Sequence, residues 1–332
     1  MSRATIEEVA AAAGVSRSTV SRVVNGSTSV SPEALAAVND AIARLNYVPN
    51  PAARSLATRQ TKAIALIVPE DTARFFGDPF FAEVVAGISA RMTRSDYILN
   101  LLIASDDGGA KAAGFVRNGG VDGAIIVSHH SNDSFVGRIA ESVPVVFGGR
   151  PARIRPGDYI VDVDNVRGAR LGTQHLIDRG CRRLATVSGP QSMRAGIDRV
   201  RGFRDALTDA GLEPFAVLDG DFTEEGAMEA ARQLLAASGG RPDGIFVASD
   251  LMARGVLRVL RDAGVRVPDD IAVVGFDDSQ VAVNVEPALT TVRQSMYEQG
   301  EVMASVLLDV LAGRSAPHST ILRTELVVRE SA

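Results

Sequence analysis

The chain has 332 residues, 46% of them hydrophobic, and a formal net charge of −5; this suffices for two or three domains around a large core. A single cysteine, Cys181, excludes an internal disulfide and suits a reducing compartment. No uninterrupted apolar run approaches roughly 18 residues and no apolar core follows the N-terminal charges, so a cytoplasmic location without signal peptide or membrane span is expected. The charge is uneven, because residues 1–60 hold six arginines against four acidic residues, or +2, which leaves −7 on the remainder. A mildly basic head on an acidic body limits non-specific adhesion and keeps one surface open to nucleic acid.

In chain order, Thr5 with Glu8 three residues on predicts a capping box for a first helix. Gly14 turns the chain and Ser16 caps a second helix. On that helix Val20, Val23 and Val24 share one side, while Arg17, Ser18, Ser21 and Arg22 share the other. Ser31-Pro32-Glu33 opens a third helix, with Pro32 at its first position and Leu35, Val38, Ile42 and Leu45 as its apolar stripe. One small core through Ile6, Val9, Val15, Val20, Val23, Leu35, Val38 and Ile42 would join the three. A short helix whose outer face carries arginines and hydroxyls suits base edges and phosphates in a DNA major groove. A helical cap or dimerisation hairpin with a serine-rich face is the competing reading.

Residues 49–60 then form a linker. Asn50 with Pro51 reads as an N-cap and first helical position, and Ala52, Ala53, Leu56 and Ala57 favour helix. About eight or nine residues are too few for a stable isolated helix in water.

From about Thr61 the pattern alternates apolar strands with helices. Strands are expected at 64–68, 98–103, 124–127, 145–147, 159–163, 184–187, 244–247 and 271–274, with helices near 80–94, 166–179, 199–211, 223–238, 250–264 and 295–312. Continuous apolar strands between helices imply parallel sheets covered on both faces, long enough here for two doubly wound lobes. The strand ends carry the chemistry. Asp277-Asp278, Ser249-Asp250, Arg199 and Phe222 follow apolar runs, and carboxylates, a guanidinium and a ring can together read the hydroxyls and apolar face of a sugar. As bland alternatives, strand-end Asp residues cap helices and Phe203 belongs to the core.

Catalytic and cofactor signals are missing. Neither G-x-G-x-x-G, G-x-x-x-x-G-K-[ST] nor G-x-S-x-G occurs. The adjacent His129 and His130 point to opposite sides of an extended chain, poor geometry for a metal. No enzyme activity, cofactor or metal is expected.

Val15-Ser16-x-x-Thr19-Val20-Ser21-Arg22-Val23-Val24-Asn25, then Val30-Ser31-Pro32, then Leu45-Asn46-Tyr47-Val48-Pro49-Asn50 resemble the DNA-binding headpiece of the LacI/GalR family of bacterial transcription regulators. The similarity continues through Val274–Asp278, Leu289–Gln294 and Glu325–Ser331, and so spans essentially the whole chain. It implies a helix-turn-helix head over 1–48, a hinge helix over 49–60 and a periplasmic-binding-protein-like effector and dimerisation body over 61–332. The first lobe would take about 61–162 and 291–322, the second 163–290 and 323–332.

The resemblance implies DNA contacts by Thr5, Ser16, Arg17, Ser18, Thr19, Ser21, Arg22, Asn25, Asn50, Ala53, Arg54 and Leu56, with Leu56 wedged into the minor groove. For the effector it implies Arg199, Asp277 and Phe222, joined by Phe76, Phe80, Ser128, Arg150, Ser249 and Asp250, in the cleft between the lobes. This chain departs from the family in three places. Ser249 stands where many relatives have Asn, Cys181 where relatives often have His, and the loop Pro69–Phe80 is longer and adds Phe75 and Phe76. No leucine heptad follows Ser331, so a homodimer is expected, on a pseudo-palindromic double-stranded operator.

Function is therefore read as a sequence-specific regulator, foremost a repressor of carbohydrate genes released by a small sugar. Ser188–Arg199 and Phe147–Pro151 are similar to actinobacterial members that respond to oligosaccharides such as cellobiose. Another disaccharide, a monosaccharide, or a nucleoside, purine or sugar phosphate acting as corepressor fits the same chemistry. A sugar-binding transport protein and an enzyme on a doubly wound fold are the readings from other classes.

Overall fold

The computed structural model describes residues 4–24, 29–48, 60–105 and 107–332. It divides into two compact units, Met1–Lys62 and Ala63–Ala332.

In the first unit, helix α1 (Ile6–Ala13) is opened by the capping box: the Thr5 hydroxyl accepts from the Glu8 amide at 3.3 Å, and the Glu8 carboxylate accepts from the Thr5 amide at 2.7 Å. Gly14 closes it with φ 67°, a left-handed conformation that glycine adopts without penalty. Helix α2 (Arg17–Val24) starts where Ser16 Oγ accepts from the Thr19 amide at 3.2 Å. Helix α3 (Pro32–Leu45) is capped by Ser31. Val9, Ala10, Val20, Val38 and Ala41 are the buried core, with Ile6, Val15, Val23 and Ile42 packed against it. Leu35 departs from expectation, since it is 44% exposed and outside the cluster. Its place on the stripe lies in the first turn of α3, whereas burial begins at Val38, and Ala10 and Ala41 fill the interior because small side chains let short helices approach closely.

The second unit contains two six-stranded sheets. In the first, β1 (Ala63–Val68), β2 (Ile98–Ile103), β3 (Gly123–Val127), β4 (Val145–Gly148), β5 (Tyr159–Val163) and β11 (Ser319–Leu322) pair in parallel in the order β11-β5-β4-β3-β1-β2. In the second, β6 (Leu184–Ser188), β7 (Ala216–Asp219), β8 (Gly244–Val247), β9 (Ala272–Asp277), β10 (Thr290–Arg293) and β12 (Glu325–Val327) run β12-β10-β9-β8-β6-β7, with only β12 antiparallel. Each sheet is sandwiched between two clusters of buried apolar side chains, the arrangement that continuous apolar strands require. Among the described residues no helix is long and apolar enough to cross a membrane.

Several elements differ from the sequence expectation in ways that move the site. The loop between β1 and the expected helix α5 (Pro79–Met92) holds a further helix, α4 (Thr72–Gly77); Asp71 caps α4 and Asp78 caps α5. Helices α6 (Ala110–Arg117) and α7 (Ser134–Ala140), which the apolar pattern left as loop, follow β2 and β3. After β5 the chain enters the second lobe through α8 (Asn165–Asp178). Helix α9 spans Arg194–Asp209, so Arg199 lies within the helix and not at its start. Strand β9 runs on to Asp277, which is therefore a strand residue. Because β10 pairs with β9, the chain leaves the second sheet after Arg293 and not at 291. Helix α10 (Glu224–Ala236), α11 (Asp250–Asp262), α12 (Gln280–Val283) and α13 (Met296–Leu311) complete the body. Helix α13 packs on α5 through Gly87 and Gly300, where a Cβ would overlap the Tyr297 and Val84 carbonyls.

Candidate functional site

On the head, the outer face of α2 presents Arg17, Ser18 and Arg22 to solvent, with Ser16 exposed just before it and Thr19 and Ser21 half-buried. Ser16 Oγ lies 2.7 Å from Ser18 Oγ and 2.9 Å from Thr19 Oγ1, a hydroxyl cluster at the helix start. Arg17 Nε reaches Glu7 at 3.1 Å with both side chains mostly exposed, an ion pair worth little that a phosphate or base can displace. Thr5 commits its side chain to capping α1. Asn25, Asn50, Ala53, Arg54 and Leu56, and the hinge itself, lie outside the described residues.

In the body, a cleft between the lobes encloses about 750 Å³ of empty space, part of it open to solvent. Arg199, Asp277, Phe222, Phe80, Ser128, Arg150 and Ser249 all line it. Arg199 is its central cation and only 5% exposed. Its Nε donates to Asn165 Oδ1 at 2.9 Å and its Nη1 to the Ala248 carbonyl at 2.5 Å, with Asp277 Oδ1 3.8 Å away. The guanidinium lies 3.6 Å over the Phe276 ring and 5.6 Å from that of Phe222. Burial works against the charge on both partners, lowering the Arg199 pKa and raising that of Asp277, and each charge offsets the cost of the other. Gln294 Nε2 anchors Asp277 at 2.5 Å, and Asn165 Nδ2 donates to Asp162 Oδ1 at 3.1 Å. Asp162, Asn165 and Arg199 thus form one hydrogen-bonded group and Asp277 and Gln294 another, joined by the Arg199–Asp277 ion pair into a single wall.

Phe222 has φ 49° and stands so close to Gly189 that any Cβ there would meet its ring, which makes Gly189 part of the aromatic seat. Ser128, with φ 58°, donates to Glu70 Oε1 at 2.6 Å. Arg150 Nε reaches Asp162 at 3.4 Å, and its guanidinium also pairs with Asp198 of α9, so it crosses between the lobes. Ser249 lines the cleft while its hydroxyl caps α11 by accepting from Met252 N at 3.2 Å.

Two expected residues do not face the cleft. Phe76 is 74% exposed, because the turn of α4 gives the buried place to Phe75, which packs on Phe81. Asp250 is fully buried and spends its carboxylate on Ser279 N at 2.8 Å and Thr291 Oγ1 at 2.6 Å, tying α11 to two later segments. Burial raises its pKa while those donors lower it.

Other lining residues escaped the sequence reading: Arg74, Asp78, Phe81, His129, Asp162, Asn165, Met193, Arg194, Gln294 and Gln299. Asp78 accepts from Phe80 N at 2.9 Å, and burial raises its pKa. His129 Nε2–H donates to the Gly149 carbonyl at 3.3 Å, and burial pushes its pKa down to about 4, so the ring is neutral. Next to His129, His130 contacts Glu70 at 3.2 Å and, on the second lobe, Ser192 Oγ at 2.7 Å. A polar residue on an otherwise apolar helical stripe, as Gln299 is among Met296, Gly300, Met303 and Ala304, was the one legible signal for this group.

Residues 5–50 match bacterial regulatory proteins of the lacI family, and residues 173–332 match the periplasmic binding protein-like domain. The chain is 44% identical over 338 residues to the HTH-type transcriptional regulator CelR of Thermobifida fusca, covering 99% of this chain and 98% of the relative. The chain belongs to the lacI family of bacterial regulatory proteins. A solved transcriptional regulator CelR–cellobiose complex, 42% identical, matches with a TM-score of 0.78 over 99% of this chain and 100% of that one. The lac repressor dimer bound to operator and the anti-inducer ONPF, 28% identical, matches at 0.84 over 99% of both chains. Membership makes the chain a DNA-binding transcriptional regulator, and not an enzyme or a transport protein.

Proposed function

We propose that the chain represses carbohydrate uptake or catabolism genes as a homodimer, and is released from its operator when cellobiose or a closely similar disaccharide fills the cleft. The observation that carries this is that Asp162, Asn165, Arg199, Asp277 and Gln294 line one cavity together with Phe222 and Phe80. Carboxylates and amides read hydroxyls, a guanidinium donates to two acceptors, and rings cover the apolar face of a pyranose. The similarity to the CelR–cellobiose complex supports the choice of ligand.

In this reading Arg17 and Ser18 read base edges, Arg22 and Ser21 contact bases and phosphates, and Thr5, Ser16 and Thr19 fix the helix on the backbone. Asn25, Asn50, Ala53, Arg54 and Leu56 complete the contact set, with Leu56 as the minor-groove wedge. The operator-bound dimer resides on the nucleoid. Lobes that close differently around sugar change the spacing of the two hinges, and a coupling of about 1–3 kcal/mol per site connects the two affinities.

The test is a dye-based thermal melt against mono- and disaccharides, nucleosides and sugar phosphates. Ligand at a hundred times its Kd stabilises the body by about 2.7 kcal/mol, a shift of a few degrees. A shift with cellobiose that Arg199→Ala removes supports the reading. A shift with a nucleoside or sugar phosphate, and none with sugars, overturns it in favour of a corepressor.

A further inference from the structure

Among the described residues three buried side-chain atoms have no hydrogen-bond partner, His175 Nε2, Thr186 Oγ1 and Gln299 Oε1, and of the three residues only Gln299 lines the cleft. Gln299 is 4% exposed and sits in the first turn of α13. Its Nε2 donates to the Val161 carbonyl at 3.1 Å, which fixes the orientation of the amide, since a carbonyl can only accept. That bond does not explain the residue. Val161 O already accepts from Gly149 N at 2.9 Å, so β5 would keep its partner without Gln299. Position is fixed as well, because the glycine contacts between α5 and α13 hold the helix turn that carries it.

An acceptor held rigidly, buried and unpaired, on a residue that lines a cavity, is costly in the empty protein and favourable once a donor arrives. We propose that Gln299 is a specificity-determining residue of the effector cleft, its Oε1 accepting one hydroxyl of the bound sugar from the first-lobe side. The proposal rests on the reading of this cleft as a sugar site and names a first-lobe residue as a second point of recognition beside Arg199. His129 adds an acceptor of the same kind: its Nε2–H is taken by Gly149, which leaves Nδ1 with a free lone pair on a neutral ring. This end of the cavity therefore selects neutral hydroxyl donors and rejects a sugar deoxygenated or methylated at that carbon.

The experiment compares wild type with Gln299→Met, a swap of similar volume, by calorimetry with cellobiose and its monodeoxy analogues and by melting of the ligand-free protein. Removing the acceptor should raise the ligand-free Tm or leave it unchanged and weaken cellobiose at least about tenfold. One deoxy analogue should be weakened on wild type yet bind Gln299→Met no worse than cellobiose does, the signature of a shared contact. Equal cellobiose affinity in the two proteins overturns the proposal and leaves the sugar reading intact. If wild type binds no cellobiose, the sugar reading fails and the proposal fails with it; a lower ligand-free Tm in Gln299→Met marks a structural amide and overturns the proposal alone.

Discussion

In the head, the side chains proposed to meet DNA stand outside: Arg17, Ser18 and Arg22 are exposed, and the ion pair of Arg17 with Glu7 is open to solvent. In the body the corresponding groups stand inside, with Arg199, Asp162, Asp277, Gln294 and Gln299 all buried and bonded to one another or to backbone. The difference follows from the partners. A DNA groove comes to the protein as a charged surface, and exposed, loosely held arginines meet it at little desolvation cost. A small sugar must be surrounded, so its site is built in advance from groups that hold each other in place. Mutations should accordingly act locally in the head and cooperatively in the body.

Arg199→Ala tests the body most severely. It leaves Asp277 buried without its cation and frees Asn165, so sugar response should vanish and the body should lose about 3–5 kcal/mol. DNA affinity without sugar should change little. Chemical denaturation and gel shift read the two effects, and full sugar response in the variant would remove Arg199 from the site. Arg199→Lys keeps a charge but not the fork geometry and should also fail to respond.

Arg17→Ala should weaken operator binding by about 1–3 kcal/mol and relax specificity at one base pair, with the body's sugar affinity unchanged. Loss of both would contradict the separation of roles. Thr5→Ala removes the capping-box hydroxyl and should cost the head about 1 kcal/mol, seen by hydrogen exchange in residues 5–13 and not in the body.

The smallest effect is a pH dependence. His130 bridges Glu70 and Ser192, and the Glu70 contact raises its pKa above the ordinary 6.5, with Asp133 adding to the effect and Arg74 and burial opposing it. A raised folded value means that protonated His130 stabilises the body fully below pH 6.5, and that this is lost as pH rises through the folded value. Melting of His130→Gln should fall below wild type at about pH 6 and approach it at about pH 9; a constant gap would deny the histidine a role as charged bridge.

The head was legible because its signals are local. Thr5, Glu8, Gly14, Ser16 and Pro32 act within a turn of themselves, and each stands in the structure where spacing puts it. Leu35 was misplaced since periodicity gives an angle on a helix and not the reach of its neighbours. The strands were legible as apolar runs, but the site was only half so. Arg199, Asp277 and Phe222 stand at the cleft, whereas Asp250 found its donors in Ser279 and Thr291, and no local pattern announces such convergence. The start of α9 was obscured because its N-cap, Met193, makes no side-chain cap. Phe76 turned out to solvent and Phe75 into the core once the loop proved to be a helix, since helical turn decides which of two adjacent rings faces inward.

In the proposed function the buried site in the body controls the exposed surface of the head. A gel shift of full-length protein on a palindromic site enriched from a random DNA library, titrated with cellobiose, tests it most directly. The shifted band should be lost as cellobiose rises and be retained in Arg199→Ala. A band that persists at cellobiose concentrations that stabilise the body, or that grows stronger, would contradict that control.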